Sequence, residues 1–538
     1  MNSREHADSN LTEANAHRAH AFGKLTAGDP FDLLIIGGGA TGLGVALDAA
    51  NRGMRVGLVE AQDFAKGTSS RATKLLHGGV RYLAQGNVPL VREALHERTT
   101  LMSNAPHLAQ PLPFVMPVYG NKGRFFDKWF YGAGLILYDL LAGKAGLGKT
   151  RFLGRSGTVA ELPGVRQEGL AGAVQYWDGQ FDDARLAVSI ARTAERAGAV
   201  IINHCRVTEL VHADRQVTGA IVRDEETGKT GTVSAKCIIN AAGVWVDSIR
   251  RMDKADAKSM VAPSQGVHIV VDQSFMPAKN ALLVPKTQDG RVLFVVPWLG
   301  KLILGTTDTP RDDLAPEPTP FHEEVEFILN ESARYLERAP KRSDVLSVWV
   351  GLRPLVKAPS DDDQNTKALS REHTVLVGKS GLVTVTGGKW TTYRAMAEDV
   401  LAECAEHKLI DQRPAGGTIN LPLVGASDVN ARPLYESAGL HSYGSEADAV
   451  ASLPGGSIEL ADGLTEAMVR FAARFEYART VEDILARRSR LLFLDARAAI
   501  NIADRVSEIL AEELGPDFNA PASAQAFKSL ASGYLELP

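Results

Sequence analysis

Four polar stretches of this 538-residue chain carry residue types able to do chemistry: "GTSSRATKLLHGGVRYL" from Gly67, "ILGTTD" from Ile303, "VGLRPLV" from Val350 and "TGGKWTTYR" from Thr386. Each lies beside glycine or proline that would fix the local backbone. Arg81, Arg353 and Lys389 are cations on otherwise apolar, glycine-rich segments, where an unpaired charge is costly. A dianionic substrate would explain all three; a structural ion pair would explain any one of them. His77, next to Gly78 and Gly79, is a candidate acid or base, although a single histidine is more often a satisfied core residue.

What must position these groups begins at Phe31. "FDLLIIGGGATGLGVALDAANRGMRVGLVE" reads as strand, turn, helix, strand, with Gly37, Gly39 and Gly42 in the G-x-G-x-x-G spacing. The first glycine permits a tight turn, the second lets backbone approach a pyrophosphate at the helix N-terminus, and the third lets helix and strand pack closely. Glu60, 18 residues after Gly42, ends the second strand where a carboxylate can hold an adenosine ribose. Thr68, Ser69 and Ser70 follow, and their hydroxyls suit a pyrophosphate. "AKCIINAAGVWVD" is a second apolar strand, and its small residues Ala241, Ala242 and Gly243 would let backbone pass close to a bound dinucleotide. A buried strand ending in an ordinary turn fits the same letters. The fingerprint does not separate FAD from NAD, but no second copy follows a strand elsewhere, so a nicotinamide partner has no evident site.

Around this unit, "DDARLAVSIARTAERAGAV" predicts a helix, and alternating segments up to Lys236 predict a small antiparallel meander. Runs such as "GVHIVV", "RVLFVVPW", "KLILGTTD" and "VLSVWV" predict a second, mostly antiparallel sheet. From residue 425 the pattern is helical, with Thr480 and Asp483 placed for a capping box before "ILARRSRLLFLDARAAI". The first 30 residues are a polar lead-in lacking the apolar core of a secretory signal. These boundaries give one large unit over 31–420, in which segments 31–110, 178–260 and 370–405, expected to build the dinucleotide-binding part, interleave with segments 111–177 and 261–369. A helical domain over 425–538 completes the chain.

Other chemistries lack support. A net charge of −5 gives no electrostatic case for nucleic acid. Three scattered cysteines form neither a disulfide framework nor a metal-ligand pattern, and no metal site is expected. "GKAGLGKT", Gly143 to Thr150, matches the phosphate-loop pattern, but it lacks a preceding buried strand and a following helix. No apolar run is long enough to span a membrane. Trp129, Phe130 and Tyr131, with Lys122, Arg124, Lys128, Lys144, Lys149, Arg151 and Arg155 around them, are what an interfacial segment needs, and equally what a buried helix with a solvated basic loop would have.

Taken in order, "IIGGGATG", "GTSSRATKLLHGGVRYL", "FDDARL", "GTTD", "GLRPL" and "GGKWTTYR" resemble the FAD-dependent glycerol-3-phosphate dehydrogenases of the bacterial, respiratory type, from Phe31 to the end of "EDILARRSRLLFLD". The resemblance implies an α/β fold: a Rossmann-like FAD-binding domain of the D-amino acid oxidase and glycine oxidase class, interleaved with an antiparallel-sheet substrate domain, plus a helical C-terminal domain. It implies oxidation of sn-glycerol 3-phosphate to dihydroxyacetone phosphate, by hydride transfer from C2 to FAD and electron transfer to a membrane quinone. Arg81, Tyr82 and Lys389 would hold the phosphate, His77 and Arg353 would sit near the reacting carbinol, and Gly388 would join the FAD contacts. A cytoplasmic protein on the inner face of the cell membrane is expected, with room for a homodimer. Gln265 stands where some bacterial relatives have lysine and is given no phosphate contact. The calcium-binding extension of the animal enzymes has no counterpart. A glycerophosphate oxidase using dioxygen, an amino-acid oxidase on the same fold, and a P-loop nucleotide-binding protein are the competing readings.

Overall fold

Leu33, Leu34 and Ile35 are all fully buried, as an apolar run in a sheet covered on both faces must be. The computed structural model describes residues 12–79, 87–120, 125–287, 290–357, 373–429 and 431–538, with backbone alone at 125–131, 133 and 144. In it the strand Phe31–Ile36 pairs in parallel with Val56–Val59 on one side and with Thr230–Asn240 on the other. Val200–Ile202 and Val383–Thr386 extend this sheet in parallel, and Thr374–Val377 closes one edge antiparallel. Because the chain leaves Phe31–Ile36 toward both sides, the carboxyl end of that strand is the switch point at which open sheets of this kind bind ligands. The helix Ala40–Asn51 follows it directly, and Gly53 takes a φ of +76° just beyond the helix end.

The expected meander exists, but it is not a separate unit. Residues 230–234 pair antiparallel with Gln216–Asp224, and from residue 235 the same strand runs parallel to Phe31–Ile36. The second sheet has ten strands among the described residues. Val261–Asp272 lies between Lys301–Gly305 and Ser347–Val356, and among the described residues the one parallel pairing of this sheet is that of Ala281–Val284 with Ala109–Tyr119. Ala109–Tyr119 is a strand that sequence reasoning did not place, because Pro111, Pro113 and Pro117 argue against one. All three sit at odd positions, so the missing N–H groups face the same edge and the ladder on the other edge is intact.

Two further elements depart from expectation. The polar lead-in contains the helix Glu13–Leu25, whose Ala14, Ala21 and Leu25 are buried and whose Arg18 pairs with Asp224 at 2.8 Å. At the C-terminal end the Thr480–Asp483 box forms, with each backbone N–H meeting the other side chain at 3.0 and 3.1 Å. The helix it opens does not run on through "ARRSRLLFLDARAAI". It is a wide π-type turn over Asp483–Arg488, interrupted at Arg490, which adopts a φ of +66°. Asp495 then caps a new helix, Ala496–Leu514, by accepting from Ala498 N.

Candidate active site

The glycine loop is built as its spacing requires. Gly37 has a φ of +116°, and a Cβ on Gly42 would lie 1.9 Å from Gly37 O. A side chain at Gly42 would fill the gap between strand end and helix N-terminus, and one at Gly37 would meet Ala241 O at 2.6 Å. Each Glu60 carboxylate oxygen accepts one backbone N–H, from Gly38 at 2.7 Å and from Gln62 at 2.8 Å, leaving lone pairs on both. Ser69 Oγ accepts from Ala40 N at 2.9 Å, in the first helical turn. Ala241 N donates to Ile36 O at 2.9 Å, so the second small-residue strand end does close on the loop, and Gly243 opens the next turn with a φ of +58°.

The four polar stretches, spread over some 330 residues from Gly67 to Arg394, meet here. Thr68 Oγ1 donates to Leu352 O at 2.6 Å, joining the first stretch to "GLRPL". Trp390 Nε1 donates to Ser69 O at 2.8 Å and Thr391 Oγ1 to His77 O at 3.5 Å, joining it to "GGKWTTYR". Arg353 Nη2 donates to Thr307 O at 3.0 Å and to Thr306 Oγ1 at 3.3 Å, and its Nη1 lies 3.3 Å from Asp308 Oδ1, which joins "GLRPL" to "GTTD". Gly266 makes room for this: a Cβ there would be 2.4 Å from Arg353 Nη2. Lys389 follows Gly387 and Gly388, both at positive φ, and a Cβ on Gly388 would meet Met396 Sδ at 2.4 Å. His77 is exposed. Arg81 and Tyr82 lie outside the described residues. Gln265 is buried, with its amide donating to Glu324 and accepting from Arg311, so its polar atoms are committed elsewhere.

One residue that sequence reasoning passed over belongs with these. His268, on Val261–Asp272, is buried and stacked on Trp349 with ring centroids 4.1 Å apart. Its Nε2 is 2.9 Å from Thr73 Oγ1. Burial drives its pKa well below 6.5, and the Lys74 and Arg353 charges push the same way, so the ring is neutral. Its signal in the sequence was a lone polar letter inside the apolar run "GVHIVV", which reads equally well as core.

Comparison with known proteins decides the family. The model of the FAD dependent oxidoreductases matches residues 32–394, and that of the C-terminal domain of alpha-glycerophosphate oxidase matches 417–519. The mitochondrial glycerol-3-phosphate dehydrogenase of Arabidopsis thaliana is 42% identical over 91% of this chain and 84% of its own length. That of Homo sapiens is 42% identical over 90% of this chain and 71% of its own. The chain belongs to the FAD-dependent glycerol-3-phosphate dehydrogenases. The crystal structure of the Bacillus halodurans glycerol-3-phosphate dehydrogenase complexed with FAD superposes with a TM-score of 0.77 at 28% identity, covering 98% of this chain and 99% of that one.

The residues present suit the family's cofactor. The glycine cradle has no space for side chains, Glu60 keeps lone pairs for a ribose, and Ser70 Oγ is fully buried with no hydrogen-bond partner among the described residues. A buried hydroxyl without a protein partner is what a site for a bound polar group contains. In this dehydrogenase the "GKAGLGKT" stretch follows the helix Phe125–Ala142 and precedes the strand Arg151–Gly154, the reverse of a phosphate-binding loop, and Thr150 N donates to Asp139 Oδ2 at 2.6 Å. The nucleotide-triphosphate reading is thereby excluded.

Proposed function

We propose that this enzyme oxidises sn-glycerol 3-phosphate at C2 to dihydroxyacetone phosphate and passes the electrons to a membrane quinone. The observation that carries the reading is the seating of Arg353 between "GTTD" and the turn that begins at Thr68, beside the switch point of the dinucleotide sheet. FAD, when bound, supplies the two-electron acceptor for the C2 hydride. Gly37, Gly39, Gly42, Glu60, Thr68, Ser69, Ser70, Gly243 and Gly388 are the residues assigned to hold it.

The chain's own part is binding, orientation and proton handling. Arg353 is pre-aimed by three acceptors, so it can stabilise the negative charge developing on the C2 oxygen without reorganising. His77 accepts the hydroxyl proton as the hydride leaves. Lys389, with Arg81 and Tyr82, is assigned to the phosphate dianion. His268, neutral behind this layer, adds no competing positive charge near the reacting carbon.

A membrane-facing surface supports quinone over dioxygen as acceptor. On the helix Phe125–Ala142, Ile136, Leu137 and Leu140 are exposed, with Leu140 one turn on from the other two, at i+4 from Ile136 and i+3 from Leu137, and itself 73% exposed. Phe152 is exposed on the adjoining strand, flanked by exposed Lys149, Arg151 and Arg155. Apolar side chains rimmed by cations are what an enzyme lying on anionic lipid presents. The side chains of Trp129, Phe130 and Tyr131 lie outside the described residues, and no described helix is long and apolar enough to cross a bilayer. We place the protein on the cytoplasmic face of the cell membrane.

The test is an anaerobic visible spectrum before and after sn-glycerol 3-phosphate, followed by turnover with a soluble quinone and with air. Bleaching of the flavin band with quinone reduction and little peroxide is expected. A band that the substrate leaves unchanged overturns the substrate assignment, and stoichiometric peroxide overturns the acceptor.

A further inference from the structure

Behind the dinucleotide site, the loop from Glu60 to Lys74 is gripped by three arginines that belong to the C-terminal part of the chain. Arg488 makes a two-pronged pair with Asp63 at 2.5 and 2.9 Å, and Arg487 Nε donates to the same carboxylate. Arg490 goes deeper. Its Nη2 donates to the carbonyl of Ser70 at 2.7 Å and lies 3.3 Å from Asp183 Oδ1. Lys74 approaches the same two groups from the other side, donating to Ser70 O at 2.8 Å and to Asp183 Oδ2 at 2.7 Å.

These groups are enclosed. Arg490, Lys74 and Asp183 are all 0% exposed. Phe493, Trp298 and Trp349 wall them in, with Arg490 4.3 Å from the Phe493 ring centre and Lys74 4.7 Å from that of Trp349. Both cations also sit in left-handed backbone, φ +66° and +65°, which a residue with a Cβ holds only where its surroundings insist. An arginine and a lysine sharing one carbonyl in the interior is costly unless the pair of carboxylates, Asp182 and Asp183, balances them, and Arg490 Nε lies 4.0 Å from Asp182 Oδ1. A peptide carbonyl held by two buried cations is a fixed point.

What that point fixes lies on either side of it. Ser69 presents its hydroxyl to the helix N-terminus and its carbonyl to Trp390, and Thr73 presents its hydroxyl to His268. We infer that Arg490 is a positioning residue for the FAD site, through which the helical C-terminal region holds the Thr68–Lys74 turn in the geometry the cofactor and His268 require. This rests on the assignment of Ser69 and Ser70 to FAD made above. The C-terminal region is then part of the cofactor cradle and not an appended module.

The experiment uses the full-length holoprotein and measures FAD retained on serial dilution, by flavin fluorescence, with thermal melts and hydrogen exchange of the 68–76 amides alongside. Arg490→Met is expected to weaken FAD retention roughly tenfold to a hundredfold, the range for losing one charge-assisted hydrogen bond. The 68–76 amides should exchange faster. Arg490→Lys, which keeps a charge and a donor, should recover part of the loss, and it carries the test alone if the methionine variant does not fold. The control is Glu476→Gln, which removes the charge from the buried Arg185–Glu476 pair (2.8 Å) across the same two parts of the chain and leaves every contact of Ser70 and Lys74 in place. It should lower the melting temperature and leave FAD retention within twofold. Unchanged retention in folded Arg490→Met, or equal loss in Glu476→Gln, overturns the inference; a wild-type protein that holds no FAD overturns the cofactor assignment beneath it.

Discussion

The hydroxyl of Thr68 donates to the carbonyl of Leu352 at 2.6 Å, so the turn beside the glycine loop is tied to the residue immediately before Arg353. This bond sets the distance between the cofactor side of the site and its main described cation. Thr68→Val keeps the shape and removes the donor. It should cost about 1 kcal/mol of stability and lower kcat more than it raises KM, because the cation is displaced and not lost. Steady-state kinetics alongside a denaturant melt would check this, and an unchanged kcat would rule out the coupling.

Two glycine substitutions should separate cofactor binding from turnover. A Cβ on Gly42 meets the Gly37 carbonyl at 1.9 Å, so Gly42→Ala should yield colourless protein. A Cβ on Gly266 meets the Arg353 guanidinium at 2.4 Å, a flexible group that can move aside. Gly266→Ala should therefore stay yellow and lose roughly 100-fold or more in kcat, as loss of one preorganised donor does. Absorbance near the flavin band and turnover, read on the same samples, decide both.

His77→Ala should retain flavin and lose roughly 100- to 10,000-fold in turnover if it is the proton acceptor. Full turnover with flavin bound would refute the role and shift attention to His268.

The buried His268 makes a distinct claim about pH. Its folded pKa lies well below the unfolded 6.5, so between those values the unfolded chain binds a proton that the native chain refuses. Stability must then fall as pH drops below 6.5, by at most about 1.4 kcal/mol per pH unit from this group. His268→Gln should flatten that limb of the stability-against-pH curve. Parallel curves for the two proteins would show that the ring titrates normally.

Leu140 is the most exposed of the described apolar side chains on its helix. Leu140→Glu should reduce binding to vesicles containing anionic lipid while FAD content and turnover with a water-soluble quinone stay as in the wild type. Equal sedimentation of both proteins with the vesicles would place the membrane contact elsewhere.

The cofactor half of the site was legible because its constraints are local: glycine spacing, a strand before and a helix after, and a carboxylate at a fixed offset lie within 30 residues, Phe31 to Glu60. The cations Arg353 and Lys389 could be singled out because charge is conspicuous in apolar, glycine-bearing segments. What joins them is long-range and left no local mark. Thr68 to Leu352 spans 284 residues, and nothing near either letter announces the other. His268 was hidden by burial, which makes a functional imidazole and a packed one look alike. Ala109–Tyr119 was hidden by prolines whose shared parity matters only once a partner strand is known. The break at Arg490 was invisible for a related reason: the left-handed backbone there is imposed by what the side chain reaches.

The bond between Arg490 and Ser70 closes a loop of 420 residues, and this has a consequence for how the protein is made. At bacterial and eukaryotic elongation rates that interval is roughly 20 to 80 seconds of synthesis. For most of it the glycine loop, its helix and the serine turn precede their partner, and once residue 183 has been made Lys74 and Asp183 await a third member. The Arg490 contact to the serine turn is therefore among the last of the turn's contacts to become available during synthesis, and a polypeptide released before residue 490 carries the nucleotide fingerprint without it.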